Sequence, residues 1–346
     1  MKILVCGWFS FENCNVTAGD VMARDIACEW LEQAGYQYDV ASIEQFAGGV
    51  DWRLVDPASY SQVVFVCGPF PLNQISNDFL QRFDGCRLIG LDLSMIEPVH
   101  QWNPFDILIE RDSSAAARPD ISFHTSQSKV PVVGIILVHP QQEYGNKGKH
   151  QAANEAIARL IESREMVAVS IDTGLDPNTT NLRNAAEIES LIAKMDLVVT
   201  TRLHGTVLAL KNGVPVVAID AIAGGAKVTR QAKTIGWSNV LSIDSLSDEK
   251  LKQAFDYCLT AEARTQAQEC RDRGIEGVEQ VRELFISALN KSSESSQRVW
   301  SPAALNKVRS FNRVQPIWQQ LVVIRYEITG GIRRWLLKKL YRPQDG

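Results

Sequence analysis

Short apolar runs recur along this chain, separated by stretches whose apolar residues return every three or four positions. Residues 2–7, 63–68, 87–93 and 106–110 form a first series of such runs. Residues 132–138, 166–171, 197–200 and 215–219 form a second. The runs are too short for buried helices and apolar at nearly every position, so they predict strands covered on both faces, as in parallel sheets. The intervening stretches predict helices over 20–34, 149–162, 185–194 and 206–212. Thr17 with Asp20 three residues on reads as a capping box before the first helix, and Gly35 as its stop. Asn212-Gly213 closes the fourth helix, and Pro215 opens the next strand.

Two such series predict two Rossmann-like α/β domains, over residues 1–125 and 131–289. The serine-rich, proline-bounded stretch 118–131 reads as the linker. From residue 290 to 346 the composition shifts to a basic appendage with Trp300, Trp318 and Trp335 interleaved. Ile332, Trp335, Leu336 and Leu340 can share one helical face, with Arg334, Lys338 and Arg342 mostly opposite. That pattern suits peripheral contact with an anionic membrane surface, or packing back on the domains.

The 346 residues exceed what one core usually serves. The net charge of −4 gives no case for a nucleic-acid partner. Seven cysteines without a Cys-x-x-Cys pair argue against a disulfide framework or a zinc site. The N-terminal apolar run is short for a signal peptide, and no run reaches the roughly 20 residues of a membrane span. A cytoplasmic protein is expected.

Chemistry concentrates between residues 195 and 227. The strand 197–200 runs into Thr201-Arg202-Leu203-His204-Gly205-Thr206, and the strand 215–219 into Gly224-Gly225-Ala226-Lys227. In open parallel sheets, ligands bind beyond the carboxyl ends of the strands, where helix N-termini also favour anions. Arg202 offers a two-pronged fork, Lys227 a compact charge and His204 a titratable ring. Gly205 and Gly225 allow close backbone approach, and Thr206 stands at the predicted helix start. A phosphorylated substrate fits this set. His139, after another strand end, is either a second cleft residue or a turn histidine. No carboxylate cluster has metal-ligand spacing, so no metal is expected. Gly7-Trp8-Phe9-Ser10-Phe11-Glu12 lacks the Gly-x-Gly-x-x-Gly fingerprint of dinucleotide binding, and no P-loop is present.

The run Asp196 to Gly205, with Gly213-Val214-Pro215-Val216-Val217 and Lys227, resembles the polysaccharide pyruvyl transferase family. Asn13 to Asp20 resembles that family's Asn and Gly-Asp loop, and Arg111-Asp112-Ser113-Ser114 its Arg-Asp-x-x-Ser element. The resemblance implies a GT-B-like pair of domains about a central cleft, with the acceptor on the N-terminal domain. It implies transfer of the enolpyruvyl group of phosphoenolpyruvate to sugar hydroxyls, giving a pyruvate ketal and phosphate, as in exopolysaccharide biosynthesis. Phosphoenolpyruvate is then a co-substrate, the acceptor a sugar or lipid-linked glycan, and no further cofactor is needed. Arg202 and Lys227 would hold the donor. His204 would protonate its methylene carbon or deprotonate the acceptor hydroxyl. Gly19, Asp20 and Arg111 would bind substrate. The alternatives are a GT-B glycosyltransferase using a nucleotide sugar, or a catalytically silent glycan-binding relative.

Overall fold

The computed structural model describes residues 2–124, 129–138, 146–225 and 227–290. The chain divides into two compact units, with the boundary between Val130 and Pro131.

In the first unit the strands are β1 (Lys2–Cys6), β2 (Tyr38–Val40), β3 (Tyr60–Phe70), β4 (Arg87–Met95) and β5 (Ile107–Asp112). The helices are α1 (Ala18–Gln33) and α2 (Gln74–Arg82). All strand pairings are parallel, in the order β2-β1-β3-β4-β5. Helix α1 opens with the expected box: Thr17 N donates to Asp20 Oδ2 at 2.8 Å, and Asp20 N to Thr17 Oγ1 at 3.4 Å. Gly35 follows the helix at φ +78°. Phe65, Phe70, Phe79 and Phe83 are fully buried and pack ring to ring on one side of the sheet.

The second unit has β6 (Val132–Ile136), β7 (Val167–Ser170), β8 (Leu197–Thr200), β9 (Val216–Asp220) and β10 (Val240–Ser242). Its helices are α3 (His150–Ser163), α4 (Ala185–Ile192), α5 (Leu203–Lys211), α6 (Lys227–Ile235), α7 (Asp248–Cys258) and α8 (Ala261–Asn290). The sheet is again wholly parallel, in the order β7-β6-β8-β9-β10. Every residue of β8 and β9 is buried, which is why both read as unbroken apolar runs. β7 lies at an edge, and its Val167 is exposed.

Counted within its own unit, each sheet has the strand order 2-1-3-4-5. The chain turns back on itself beside the first strand, so the connections on either side of it leave in opposite directions. The crevice at that point, past the carboxyl ends, is where such sheets hold ligands. It falls between β1 and β3 in the first unit and between β6 and β8 in the second.

Part of the predicted linker is built into the first unit. Arg118 pairs with Glu110 at 2.9 Å, Asp120 with Arg111 at 2.8 Å, and the His124 ring lies 5.6 Å from that of Trp30. His139 and the appendage beyond Asn290 lie outside the described residues. Among the described residues no helix is long and apolar enough to cross a membrane.

Candidate active site

The turn after β8 is pinned before α5 begins. Thr200 Oγ1 donates to the Ile136 carbonyl of β6 at 2.7 Å and accepts from Arg202 N at 2.9 Å. Thr201 Oγ1 accepts from Val138 N at 2.9 Å. These bonds tie β8 to β6 at the crevice of the second sheet and place Arg202 as the N-cap of α5. Arg202 has no side-chain capping bond, so the first-turn amides of α5 are not satisfied from that position. His204 sits exposed in this turn, while Gly205 and Thr206 are buried.

The helix therefore starts at Leu203, three residues before the predicted start at Thr206. Thr206 is not a cap. Its hydroxyl donates back to the Arg202 carbonyl at 3.3 Å, the usual bond of a threonine inside a helix. Gly205 serves helix–sheet packing. A Cβ there would lie 2.3 Å from Thr200 Oγ1 and 3.0 Å from Ile136 Cγ2, so the side expected to face a ligand is filled by the sheet.

Arg202 is half-buried, and a carboxylate from the loop after β7 holds it in place. Its Nη1 lies 3.5 Å from Asp172 Oδ1. Asp172 is fixed in turn, accepting from Gly174 N at 2.8 Å and from Thr179 N and Oγ1 at 2.9 Å each. Arg202 Nη1 is buried yet has no hydrogen-bond partner, and the same is true of Thr173 Oγ1 in the adjoining loop. The 3.5 Å ion pair to Asp172 offsets the guanidinium charge but leaves the Nη1 N–H groups without a hydrogen bond, which costs stability in a buried site. Beside a helix N-terminus, Nη1 is poised to receive an anionic oxygen.

Lys227 is the first residue of α6. β9 pairs with β8 and α5 packs on α6, so the N-terminal ends of both helices lie at one edge of the sheet. Gly224 and Gly225 precede Lys227 at φ +81° and +74°, a left-handed pair that bends the loop back toward the sheet. The fully buried Asp220 closes this turn. It accepts from Thr229 N at 3.0 Å and from Thr229 Oγ1 at 2.8 Å.

In the first unit, Gly19, Asp20 and Arg111 line a single cavity of about 460 Å³ at the β1/β3 crevice, with Trp8, Asn13 and Asn15. Cys67 and Asp92, inside the carboxyl-terminal halves of β3 and β4, take φ of +63° and +58°, which non-glycine residues adopt sparingly. Arg111 spans the floor. Its guanidinium lies 2.8 Å from Asp120 Oδ2, 3.6 Å from Cys67 Sγ and 4.0 Å from Asp92 Oδ2, and donates to Ser94 Oγ at 2.6 Å. Cys67, Asp92 and Asp120 bring ligand-capable atoms within 4.8 Å of one another. The guanidinium already supplies the positive charge at that spot.

The two carboxyls of this cluster are driven apart. Burial and the neighbouring Asp120 push the Asp92 carboxyl up to about 6. Burial also opposes charge on Asp120, but the donors from Ser122 and Arg111 outweigh it and hold that carboxyl below the usual range. Burial raises the Cys67 thiol to about 12, so it stays protonated. Between about pH 4 and 6 the folded chain binds more protons at Asp92 than the unfolded chain, so stability falls as pH rises through this window. An Asp92→Asn variant keeps the shape and tolerates the left-handed backbone. Thermal unfolding should show its midpoint raised by about 3 °C above pH 7 and unchanged below pH 4. Equal midpoints at pH 8 would contradict this electrostatic reading.

The structure thus brings Arg202, His204, Gly205 and Thr206 onto one turn and sets Lys227 at the same sheet edge, with Gly225 just before it. Gly19, Asp20 and Arg111 share a cavity in the other unit. Sequence reasoning missed Asp172, Asp220 and Asp92. Asp172 follows β7 and Asp220 ends β9, whereas Asp92 is an acidic residue inside the apolar run of β4; those positions are the signal that marked each.

Residues 135–221 match the family model for polysaccharide pyruvyl transferase. None of the curated proteins matches the chain. Among solved structures, the spinosyn rhamnosyltransferase SpnG bound to thymidine diphosphate shares 11% identity at a TM-score of 0.30, covering 79% of this chain and 96% of that one. The Methanocaldococcus jannaschii UDP-GlcNAc 2-epimerase shares 11% identity at a TM-score of 0.30, covering 83% and 100%. E. coli ADP-heptose lps heptosyltransferase II shares 13% at 0.25, covering 75% and 98%. The matched stretch runs from β6 through β9 and contains the Thr200–Thr206 turn, so residues 135–221 carry the sequence pattern of the polysaccharide pyruvyl transferases.

Proposed function

We propose that the protein transfers the enolpyruvyl group of phosphoenolpyruvate to two hydroxyls of a sugar, releasing phosphate and leaving a pyruvate ketal. The observation that carries this reading is the buried Nη1 of Arg202, which makes no hydrogen bond and only a 3.5 Å ion pair to Asp172, beside the N-terminus of α5 and inside the family-matched stretch.

The second unit holds the donor. Arg202 and Lys227 take the phosphate and carboxylate, with the Asp172 carboxylate 3.5 Å from the Arg202 guanidinium. His204 delivers a proton to the methylene carbon, which becomes a methyl group and leaves an electron-poor C2. One hydroxyl oxygen bonds to C2, and the second displaces phosphate from it. Of the two hydroxyl protons, one balances that taken up by the methyl group and one leaves with phosphate. The cations offset the charge on the departing group. The acceptor is assigned to the first unit's cavity. Asp20, Asp120, Asn13 and Asn15 suit hydroxyls there, and Trp8 offers an aromatic wall.

Phosphate release from phosphoenolpyruvate, measured across a panel of sugar and lipid-linked glycan acceptors, tests the reaction. Release that depends on an acceptor is expected. Absence of release together with calorimetric binding of a nucleotide sugar would instead indicate a glycosyltransferase. Arg202→Lys keeps the charge but loses the fork. It should raise the KM for phosphoenolpyruvate about 10- to 100-fold, with the acceptor KM unchanged. Equal changes in both would contradict the donor assignment.

A further inference from the structure

Helix α8 leaves the body of the second unit uncovered. Ala263, Ala267 and Cys270 bury its first turns, but every residue from Ile275 to Asn290 is exposed. That is about 24 Å of helix at 1.5 Å per residue. Along it Ile275, Val278, Val281, Phe285, Ile286 and Leu289 are 47% to 65% exposed. At about 100° per residue they form one broad apolar arc. The arc continues into an apolar groove of about 300 Å³ at the root of α8, against α5 and α6. Glu276, Glu279 and Glu283 run along one border of the arc. Only Glu279 has an ion-pair partner among the described residues, Arg282 at 2.7 Å. Carboxylates spaced three and four apart repel one another, so a cationic neighbour would stabilise this border. An exposed apolar face of this extent calls for a cover.

We propose that residues 332–342 of the same chain cover it, with Ile332, Trp335, Leu336 and Leu340 on the apolar arc and the flanking basic residues along the glutamate border. Charge complementarity favours this occupant. Residues 1–290 carry 37 acidic and 25 basic side chains, whereas the segment after Asn290 carries eleven basic and three acidic. The segment also follows α8 in the chain, and the 41 residues between Asn290 and Ile332 are long enough to reach back over the arc. A second copy would present the same acidic body. An anionic vesicle would face the glutamate border.

Hydrogen exchange on the full chain, at two protein concentrations, tests this. Amides of 275–289 should exchange at least tenfold faster in a Trp335→Glu, Leu336→Glu, Leu340→Glu variant than in the native protein, equally at both concentrations. In the reverse direction, Val281→Glu with Phe285→Glu alters only exposed positions, so the units stay folded, and it should speed exchange in 332–342. Three results would overturn the proposal. One is equal exchange in native and variant chains. Another is native protection that appears only at high concentration with a doubled mass by light scattering. The last is protection that appears only on adding phosphatidylglycerol vesicles.

Discussion

Replacing His204 with alanine should lower phosphate release from phosphoenolpyruvate by about 10²- to 10⁴-fold and leave thermal unfolding where it is. The size follows from the chemistry. Carbon is a poor proton acceptor, and without a positioned acid the methylene carbon must draw its proton from water. The unchanged stability follows from the structure. His204 is exposed in the first turn of α5, and the turn is held by Thr200, Thr201 and the backbone around them rather than by the imidazole. Arg202 and Lys227 are untouched, so the donor KM should move little and the loss should appear in kcat. Steady-state phosphate release beside a melting curve measures both. Near-native turnover in this variant would remove His204 from the chemistry.

Gly205→Ala should cost about 2–4 kcal/mol of the second unit's stability, despite placing a better helix former in α5. The propensity gain is only about 1 kcal/mol. Against it, the new methyl would sit 2.3 Å from Thr200 Oγ1 and 3.0 Å from Thr200 Cβ and Ile136 Cγ2, all on buried sheet residues that cannot swing away. Relief requires α5 to lift or Thr200 to rotate. Rotation breaks the hydroxyl's bonds to the Ile136 carbonyl and from Arg202 N, adding to the overpacking cost. The unfolding midpoint should fall by about 10 °C. Because those same bonds set the Arg202 backbone, donor affinity should drop with it. A variant as stable as the native protein would show that helix and sheet do not meet here as closely as described.

What could be read from the sequence was whatever burial writes into consecutive residues. β8 and β9 are buried at every position, as is the stretch 63–68 of β3, and these appear as near-continuous apolar runs. The three-residue strands β2 and β10 are half-buried edge strands and left no such mark. Helix α6, Lys-Val-Thr-Arg-Gln-Ala-Lys-Thr-Ile, buries only Val228 and Ala232 and is not among the helices the apolar spacing predicts. The start of α5 was misplaced because Arg202 is a cap without capping chemistry, while Thr206 resembles a cap and is not one. Arg202, His204 and Lys227 were legible as cations after strand ends. Asp172 was not. Its hold on Arg202 depends on the loop after β7 standing across the β6/β8 crevice, 30 positions earlier in the chain. The Arg111, Asp92 and Asp120 cluster is likewise a product of strand register, since β4 and β5 must align before these side chains meet.

The central claim is that the edge of the second sheet receives phosphoenolpyruvate on Arg202 and Lys227 with His204 alongside. A crystal structure of the full chain with phosphoenolpyruvate bound tests it most directly. The predicted result is a phosphate or carboxylate oxygen within hydrogen-bond distance of Arg202 Nη1 at the N-terminus of α5, with the imidazole facing the methylene carbon. Ligand density away from this turn, with Arg202 Nη1 still facing only Asp172, would contradict it.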